Sequence, residues 1–308
     1  QSTKATSTRK RAASKAAKAE RTAPDITSPD KLLYPDDRIS KRELADYYAA
    51  VMDWLLPEIR DRPLSLLRCP GGIAAQCFFQ KHATPGLELV SLVSIEESDG
   101  GREDYLVATD AASVMELVQF NTLEFHPWGT HVEDLAHCDR LVFDLDPDEG
   151  LGFAEVRAAA EDLRDRLTAL GMPTWPMVTG GKGIHVVADL KRTASWDTVK
   201  LFARTFAHLL ASAQPDRYVA VMSKAKREGK IFIDWLRNEP QATAISPFSV
   251  RARPGAKVAM PLSWQALAKE TSANAYDTSN ALTAAPKIAP ERAPPVSLER
   301  VIRALTGA

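Results

Sequence analysis

The chain has 308 residues, 45% hydrophobic and 26% charged, which is enough apolar material for a sizeable core in one large domain or two small ones. No run of about 18 apolar residues occurs, which argues against a helical membrane span, and the first residues lack the apolar middle of a secretory signal. The net charge of −1 hides an asymmetry, because residues 1–24 carry seven Lys/Arg and one acid while the other 284 residues carry 32 bases and 39 acids; phosphate binding must come from local clusters.

Residues 1–24, with no large apolar side chain, read as a flexible basic arm. A capping box, Ser40 with Glu43, opens a helix over Lys41–Leu56, whose apolar face is Leu44, Tyr47, Tyr48, Val51, Met52 and Leu55. Leu64–Arg68 and Gln76–Lys81 read as strands around the turn Pro70-Gly71-Gly72. Tyr105–Ala108 is a third strand and Ala111–Phe120 a helix. Arg140–Asp146 is a buried strand ending in acids, followed by an amphipathic helix over Phe153–Leu170 that Gly171 closes. Met177-Val178 and Gly183–Leu190 pair across a glycine turn. Thr198–Ser212 is helical; Arg217–Met222 and Ile231–Trp235 are strands. Residues 271–308, rich in Ala, Pro, Ser and Thr, read as a linker carrying a short docking helix at Val296–Leu305. Residues 25–270 then form the catalytic domain. The mixture of hairpins and helices predicts an α+β fold with mixed or antiparallel sheets. Cys69, Cys77 and Cys138 match neither a disulfide framework nor a zinc knuckle, which predicts a reducing, cytoplasmic setting.

Chemistry concentrates in Leu141-Val-Phe-Asp-Leu-Asp-Pro147. On a strand, Asp144 and Asp146 share a face, roughly 6.6 Å apart along the chain. Two such carboxylates repel unless a cation lies between them, and hard oxygen donors suit Mg²⁺ or Mn²⁺. A solvated strand end is the bland alternative. Asp234 interrupts a second apolar strand, Ile231–Leu236, where an unpaired carboxylate is costly; it meets either a metal or a base such as Arg237 or Lys230. Three aspartates on neighbouring strands suit a two-metal nucleotidyl-transfer site. Thr179-Gly-Gly-Lys-Gly-Ile-His185 is not a Walker loop. Its glycines nevertheless free backbone N–H groups for an anion, with Thr179, Lys182 and His185 as further donors; alone, His185 would read as a core histidine. Residues 217–257 carry nine Lys/Arg against three acids, including Lys224–Arg227, Arg251 and Arg253, as a polyanionic substrate would require. Lys31 and Lys41 form an earlier basic set. Of the adjacent Phe78 and Phe79, one normally faces the core and the other is left to stack on a base. His126, His131, His137 and Cys138 match none of the usual zinc spacings.

Taken together, Asp30–Pro35, the Asp-Leu-Asp-Pro strand, the Gly-Gly-Lys-Gly-Ile-His loop, Ile233-Asp-Trp-Leu-Arg-Asn238 and Pro247–Pro254 resemble the polymerase domain of bacterial DNA ligase D, of the archaeo-eukaryotic primase superfamily. The resemblance covers about residues 26–265 and implies a primase-polymerase core with its active-site cleft between sheets. It also implies that Asp144, Asp146 and Asp234 ligate two divalent ions. Thr179, Lys182, Gly183, His185, Arg227 and Arg251 would hold a nucleoside triphosphate, ribo- or deoxyribo-, with Arg68 as a further contributor. Phe79 would stack near the incoming base with Phe78 close by, and His126 would approach the ribose 2′-hydroxyl. Lys31 and Lys41 would hold the 5′-phosphate of a broken or gapped DNA end. Thr179 stands where the family often has Ser; the hydroxyl is kept. The implied partners are a Ku-type end-binding protein and the ligase and nuclease domains of a larger polypeptide, in the bacterial nucleoid; no Lys-x-Asp-Gly ligase motif occurs in this stretch. Two other readings remain open at this point. Asp144 could be the nucleophile of a haloacid-dehalogenase-like phosphatase, or the chain could be a non-catalytic DNA end-binding module.

Overall fold

The computed structural model describes residues 21–97 and 100–306. Most of the expected basic arm lies outside them. At its described end, Arg21 does not project freely: its guanidinium pairs with Asp110 at 2.7 Å and donates to the Leu89 carbonyl.

The first half of the chain opens with β1 (Leu32–Tyr34) and β2 (Ile39–Ser40), a short antiparallel hairpin. Ser40 then caps α1 (Lys41–Ala50), accepting from the Glu43 N–H while the Glu43 carboxylate accepts from the Ser40 N–H. The helix expected to run to Leu56 instead breaks at Val51, whose backbone leaves helical geometry, and resumes as α2 (Met52–Ile59). Next come β3 (Pro63–Arg68), β4 (Phe78–Gln80), β5 (Ser91–Glu96), β6 (Arg102–Val107), α3 (Ala111–Gln119) and β7 (Thr122–Pro127). These five strands form one antiparallel sheet around β3, which pairs with β4, β6 and β7. Side chains alternate along β7: Leu123 and Phe125 are fully buried, Phe125 meeting Tyr48 edge-on at 5.2 Å, whereas Glu124 and His126 project from the opposite face.

The second half contains β8 (Arg140–Pro147), α4 (Phe153–Ala169), β9 (Trp175–Val178), β10 (Ile184–Asp189), α5 (Trp196–Ala213), β11 (Tyr218–Val219), β12 (Ile231–Asp234), β13 (Met260–Pro261), α6 (Trp264–Leu267), α7 (Ala281–Ile288) and α8 (Leu298–Thr306). Its six-stranded sheet runs β11-β12-β8-β10-β9-β13. Only the β11–β12 pairing in it is parallel. One face packs on α4 and α5 through Leu141, Phe143, Leu145, Ile184, Val186, Val156 and Leu163. The other face has a smaller apolar floor of Val142, Trp175, Met177, Val187, Ile245 and Ala259. The fold is therefore α+β with mixed sheets, as expected, and the polar cleft lies between the two sheets.

Two further expectations are corrected. Residues 271–306 do not leave the domain as a linker. The Gly180 N–H donates to the Ala273 carbonyl, the Val258 N–H to Tyr276, and Val296 exchanges bonds with Asp189 and Lys191. Ala273, Ala281, Ala285, Leu298 and Val301 are buried. Alanine-rich composition imitates a linker, but small side chains also allow close packing. Second, Cys69 and Cys77 form a disulfide. Cys69 and Cys77 flank the β3–β4 turn, which brings them face to face, so the expectation of unpaired thiols fails for this pair; Cys138 alone is free and buried. No helix among the described residues is long and apolar enough to cross a membrane.

Candidate active site

The site is set by the register of three strands. On central β8, Asp144 lies directly opposite Asp234 of β12 and His185 of β10. Directly opposed residues share a face of the sheet, and Asp146, two residues on, shares it too. The sequence thus needs only a correct ladder to bring the three acids together. Their face looks into a cleft of about 600 Å³ lined by His126, Asp144, Asp146, Thr179, Lys182, Gly183, His185, Lys224, Arg237, Arg251 and Arg253, among others. His126 comes from the first sheet and the acids from the second.

The electrostatics divide the acids. Burial works to raise the Asp144 carboxyl, but His185, with Nε2 3.5 Å away, and Arg237 outweigh it and hold it at about 2. Asp146 is raised by burial and by the charge of Asp144, against Arg227, Arg237 and Lys182. Asp234 is likewise raised by burial, with Arg237 opposing and Asp144 adding. Arg237 Nη2 lies 3.2 Å from Asp144 and 3.0 Å from Asp234. The bridge to Arg237, one of the two outcomes weighed for Asp234, is thus present. No three His, Cys, Asp or Glu side chains among the described residues already form a metal cage. The donor set still fits hard divalent ions: it consists of carboxylate oxygens on one sheet face, and burial, with the charge of Asp144 adding to it, holds Asp146 and Asp234 above their ordinary pKa. A cationic group, the guanidinium, already sits between Asp144 and Asp234.

The glycine loop presses onto this strand. A Cβ at Gly183 would fall 2.7 Å from the Leu145 carbonyl and 3.3 Å from Asp144 Oδ1; at Gly180, where φ is +68°, it would meet Arg251 at 2.9 Å. Glycine is required here because the backbone approaches so closely. Thr179 is buried and its hydroxyl donates to the Gly183 carbonyl at 3.0 Å, so it braces the loop rather than pointing free into the cleft. Lys182 is exposed at the rim. Arg251 donates from Nη1 to the Thr179 carbonyl at 2.9 Å and from Nε to Glu124 at 3.1 Å. Arg227 follows a single 3₁₀ turn, Lys224–Lys226, lies 3.8 Å over the Phe232 ring and reaches Asp146 at 3.2 Å.

Other candidates sit farther out. Phe78 and Phe79 are both solvent-facing, 43% and 59% exposed. The expectation that one faces the core fails because β4 is only three residues long, with Gln80 the buried member. Phe79 meets the His126 ring edge-on at 5.5 Å. Arg68 does not line the cleft. It is held by the Phe120 carbonyl and Gln80, between the Phe78 and Phe120 rings. Lys31 donates to the Pro70 carbonyl. Lys41 is buried; desolvation and the nearby Lys31 charge lower its pKa, and its Nζ has no hydrogen-bond or ion-pair partner among the described residues. The histidines discounted as zinc ligands are apart: His126 pairs with Glu124, His131 with Asp139 and His137 with Asp134.

Sequence reasoning missed Glu124, although it stands two residues before His126 in an alternating strand. It had named Arg237 only as a partner for Asp234.

The sequence matches the family described as "LigD, primase-polymerase domain" over residues 40–289. It is 37% identical over 253 residues to the multifunctional non-homologous end joining protein LigD of Pseudomonas aeruginosa, covering 82% of this chain and 30% of that one. It is 33% identical over 246 residues to the LigD of Mycolicibacterium smegmatis, covering 79% and 32%. The chain thus spans about a third of the length of these relatives. Among solved structures, the polymerase domain from Mycobacterium tuberculosis ligase D in complex with DNA superposes with a TM-score of 0.80 at 29% identity, covering 87% of this chain and 96% of that one. Neither the phosphatase nor the non-catalytic reading is favoured by these likenesses: the chain belongs to the LigD primase-polymerase domain family.

Proposed function

We propose that this domain is a template-directed nucleotidyltransferase that extends primers, fills gaps and processes DNA ends in bacterial non-homologous end joining. The observation that carries it is the convergence of Asp144, Asp146 and Asp234 on one sheet face, beside a cleft into which Lys182, Lys224, Arg237, Arg251, Arg253, His126 and His185 also project. Two divalent ions, Mn²⁺ or Mg²⁺, held by these three carboxylates would activate the attacking hydroxyl and neutralise charge developing on the triphosphate.

The chain's own residues do the rest. Lys182, Arg251 and Arg227, with the N–H groups of the loop at 181–183, bind phosphate oxygens and hold the α-phosphorus in line with the primer 3′-hydroxyl. As that hydroxyl attacks and pyrophosphate leaves, these fixed charges stabilise the negative charge that builds up. His185, clamped to Asp144, orients the carboxylate, and Thr179 braces the loop. Phe79 offers an exposed face to the incoming base, with Phe78 beside it. His126 lies at the sugar. Lys41, buried and unpaired, together with Lys31 forms an anion-seeking pair suited to a 5′-phosphate. Arg68 supports Phe78 rather than touching the triphosphate. DNA as partner is supported by the solved neighbour, which is in complex with DNA; DNA ends or gaps, a Ku-type end-binding protein, and ligase and nuclease domains in one polypeptide are proposed with it on the sequence resemblance.

The test is direct. The domain is incubated with gapped, 5′-phosphorylated DNA, Mn²⁺ and each rNTP or dNTP in turn. Templated addition to the 3′ end is the expected result; absence of any addition refutes the proposal.

A further inference from the structure

We propose that Glu124 is a positioning residue that fixes the proton of His126 on Nε2, so that the imidazole meets the nucleotide sugar as a hydrogen-bond acceptor, while the same carboxylate aligns Arg251 toward the phosphates. This deepens the nucleotidyl-transfer reading and rests on it.

The geometry comes first. Glu124 and His126 stand two apart on β7 and share the face toward the cleft. The two Glu124 oxygens are divided between two tasks. Oε2 lies 2.8 Å from His126 Nε2. Oε1 accepts from Arg251 Nε at 3.1 Å and from the Ala252 N–H at 2.8 Å. The Glu124 side chain is only 4% exposed, so these three donors, not water, satisfy it. Arg251 in turn is fixed to the Thr179 carbonyl at the mouth of the glycine loop. A single buried carboxylate therefore ties the sugar side of the cleft, on the first sheet, to its phosphate side, on the second.

The proton follows from the charges. Burial works to raise Glu124, but its bonds to His126 and Arg251 outweigh it and hold it at about 2, so it is ionised. Burial lowers His126, against Glu124, and the nearby Arg251 and Arg237 charges lower it further. A neutral imidazole facing an ionised carboxylate keeps its one proton on the nitrogen that faces the carboxylate. Nε2 then donates, and Nδ1 presents a lone pair. Nδ1 has no partner among the described residues, and His126 lines the cleft beside the exposed Phe79. A group recognised at Nδ1 must donate a hydrogen bond. A sugar hydroxyl can do so; a sugar C–H at the same position cannot.

Glu124→Gln keeps the volume but has one acceptor oxygen where three donors converge. Turned one way, its amide donor opposes the Nε2–H and the proton moves to Nδ1. Turned the other way, it opposes Arg251 and the Ala252 N–H. The second orientation opposes two donors and the first only one, so the first prevails and the proton of His126 moves.

The test uses the full chain, labelled with ¹⁵N, and long-range ¹H–¹⁵N correlation of the imidazole at neutral pH. His126 is expected as the Nε2–H form in the wild type; an Nδ1–H form or an imidazolium overturns the proposal, with no dependence on activity. In primer extension on gapped DNA, Glu124→Gln should lower the ATP/dATP ratio of kcat/KM by roughly 3- to 10-fold, the worth of one hydrogen bond. The change should fall on the KM for ATP more than on kcat. His126→Ala should lower the ratio equally, and the double variant no further. An unchanged ratio in folded Glu124→Gln overturns the proposal. If that variant does not fold, the wild-type spectrum and His126→Ala decide: the Nε2–H form with loss of selection in His126→Ala supports the proposal, and retained selection overturns it. A wild type that adds no nucleotide refutes the nucleotidyl-transfer reading itself, whereas nucleotide addition with the wrong imidazole form refutes only the role of Glu124.

Discussion

Replacing Asp144 with alanine should separate chemistry from folding. In the folded chain the carboxyl sits at about 2 against an ordinary 3.8, because His185 and Arg237 favour its charge more than burial opposes it. A carboxylate depressed in this way contributes stability above its unfolded pKa and loses it as pH falls toward the folded value, here from about pH 4 to about pH 2. The full contribution at neutral pH is about 2 kcal/mol. Its removal is partly offset, because Asp144 also pushes up the neighbouring Asp146 and Asp234. The metal-free variant should therefore lose only about 1 kcal/mol, a melting shift of a few degrees. Catalysis should fall far more, by about 10³-fold or greater, which corresponds to about 4 kcal/mol of transition-state stabilisation. The assay pairs thermal melting without metal with single-turnover extension on gapped DNA in Mn²⁺. Extension by the folded variant within tenfold of wild type would refute the role of Asp144 as a holder of the divalent ions.

Three other expectations are simpler to check. Lys41→Ala should weaken binding to gapped DNA carrying a 5′-phosphate, flatten its salt dependence by about one counterion, and leave binding to the 5′-hydroxyl form unchanged; fluorescence anisotropy across a salt series reads all three. Glu58 is buried between Arg140 at 2.8 Å and Arg292 at 2.6 Å, so Glu58→Gln strands a buried guanidinium and should cost about 3 kcal/mol in urea unfolding; a change under 1 kcal/mol would contradict the buried network. Reducing the Cys69–Cys77 bond, which spans a separation of 8 residues, should lower stability by about 2–3 kcal/mol on loop entropy. Identical melts with and without dithiothreitol would show that the thiols are not joined in solution.

What could be read from the chain divides along physical lines. Local signals were clear: the Ser40–Glu43 cap, the apolar run into Asp144 and Asp146, and the glycines before Ile184 each depend on a few consecutive residues. Even there the helix break at Val51 was invisible, because no proline or glycine marks it. Signals that depend on distant partners were weaker. Strand β5 alternates half-exposed residues and is held by β6 alone, so its sequence lacks a buried stripe. Arg237 could be named as a neighbour of Asp234, but its reach to Asp144 depends on the pairing of β12 with β8. The joining of Cys69 to Cys77 depends on the pairing of β3 with β4, and the docking of Ala273–Val301 on tertiary closure; composition encodes neither. Glu124 was legible in principle, since Leu123 and Phe125 alternate with Glu124 and His126, but a lone Glu-x-His gives no hint that Arg251 lies across the cleft.

The antiparallel ladder of β8 also determines which changes in length the chain can absorb. Inserting one residue within Ile231–Asp234, or between Leu141 and Asp144, would rotate every following side chain to the opposite side of the sheet and bury a carboxylate among α4 and α5. Inserting the same residue in the turn at 223–230 would alter only the connection, leaving the paired segments in step. Natural variation in length should therefore gather in the connections and spare the two short stretches that align the acids.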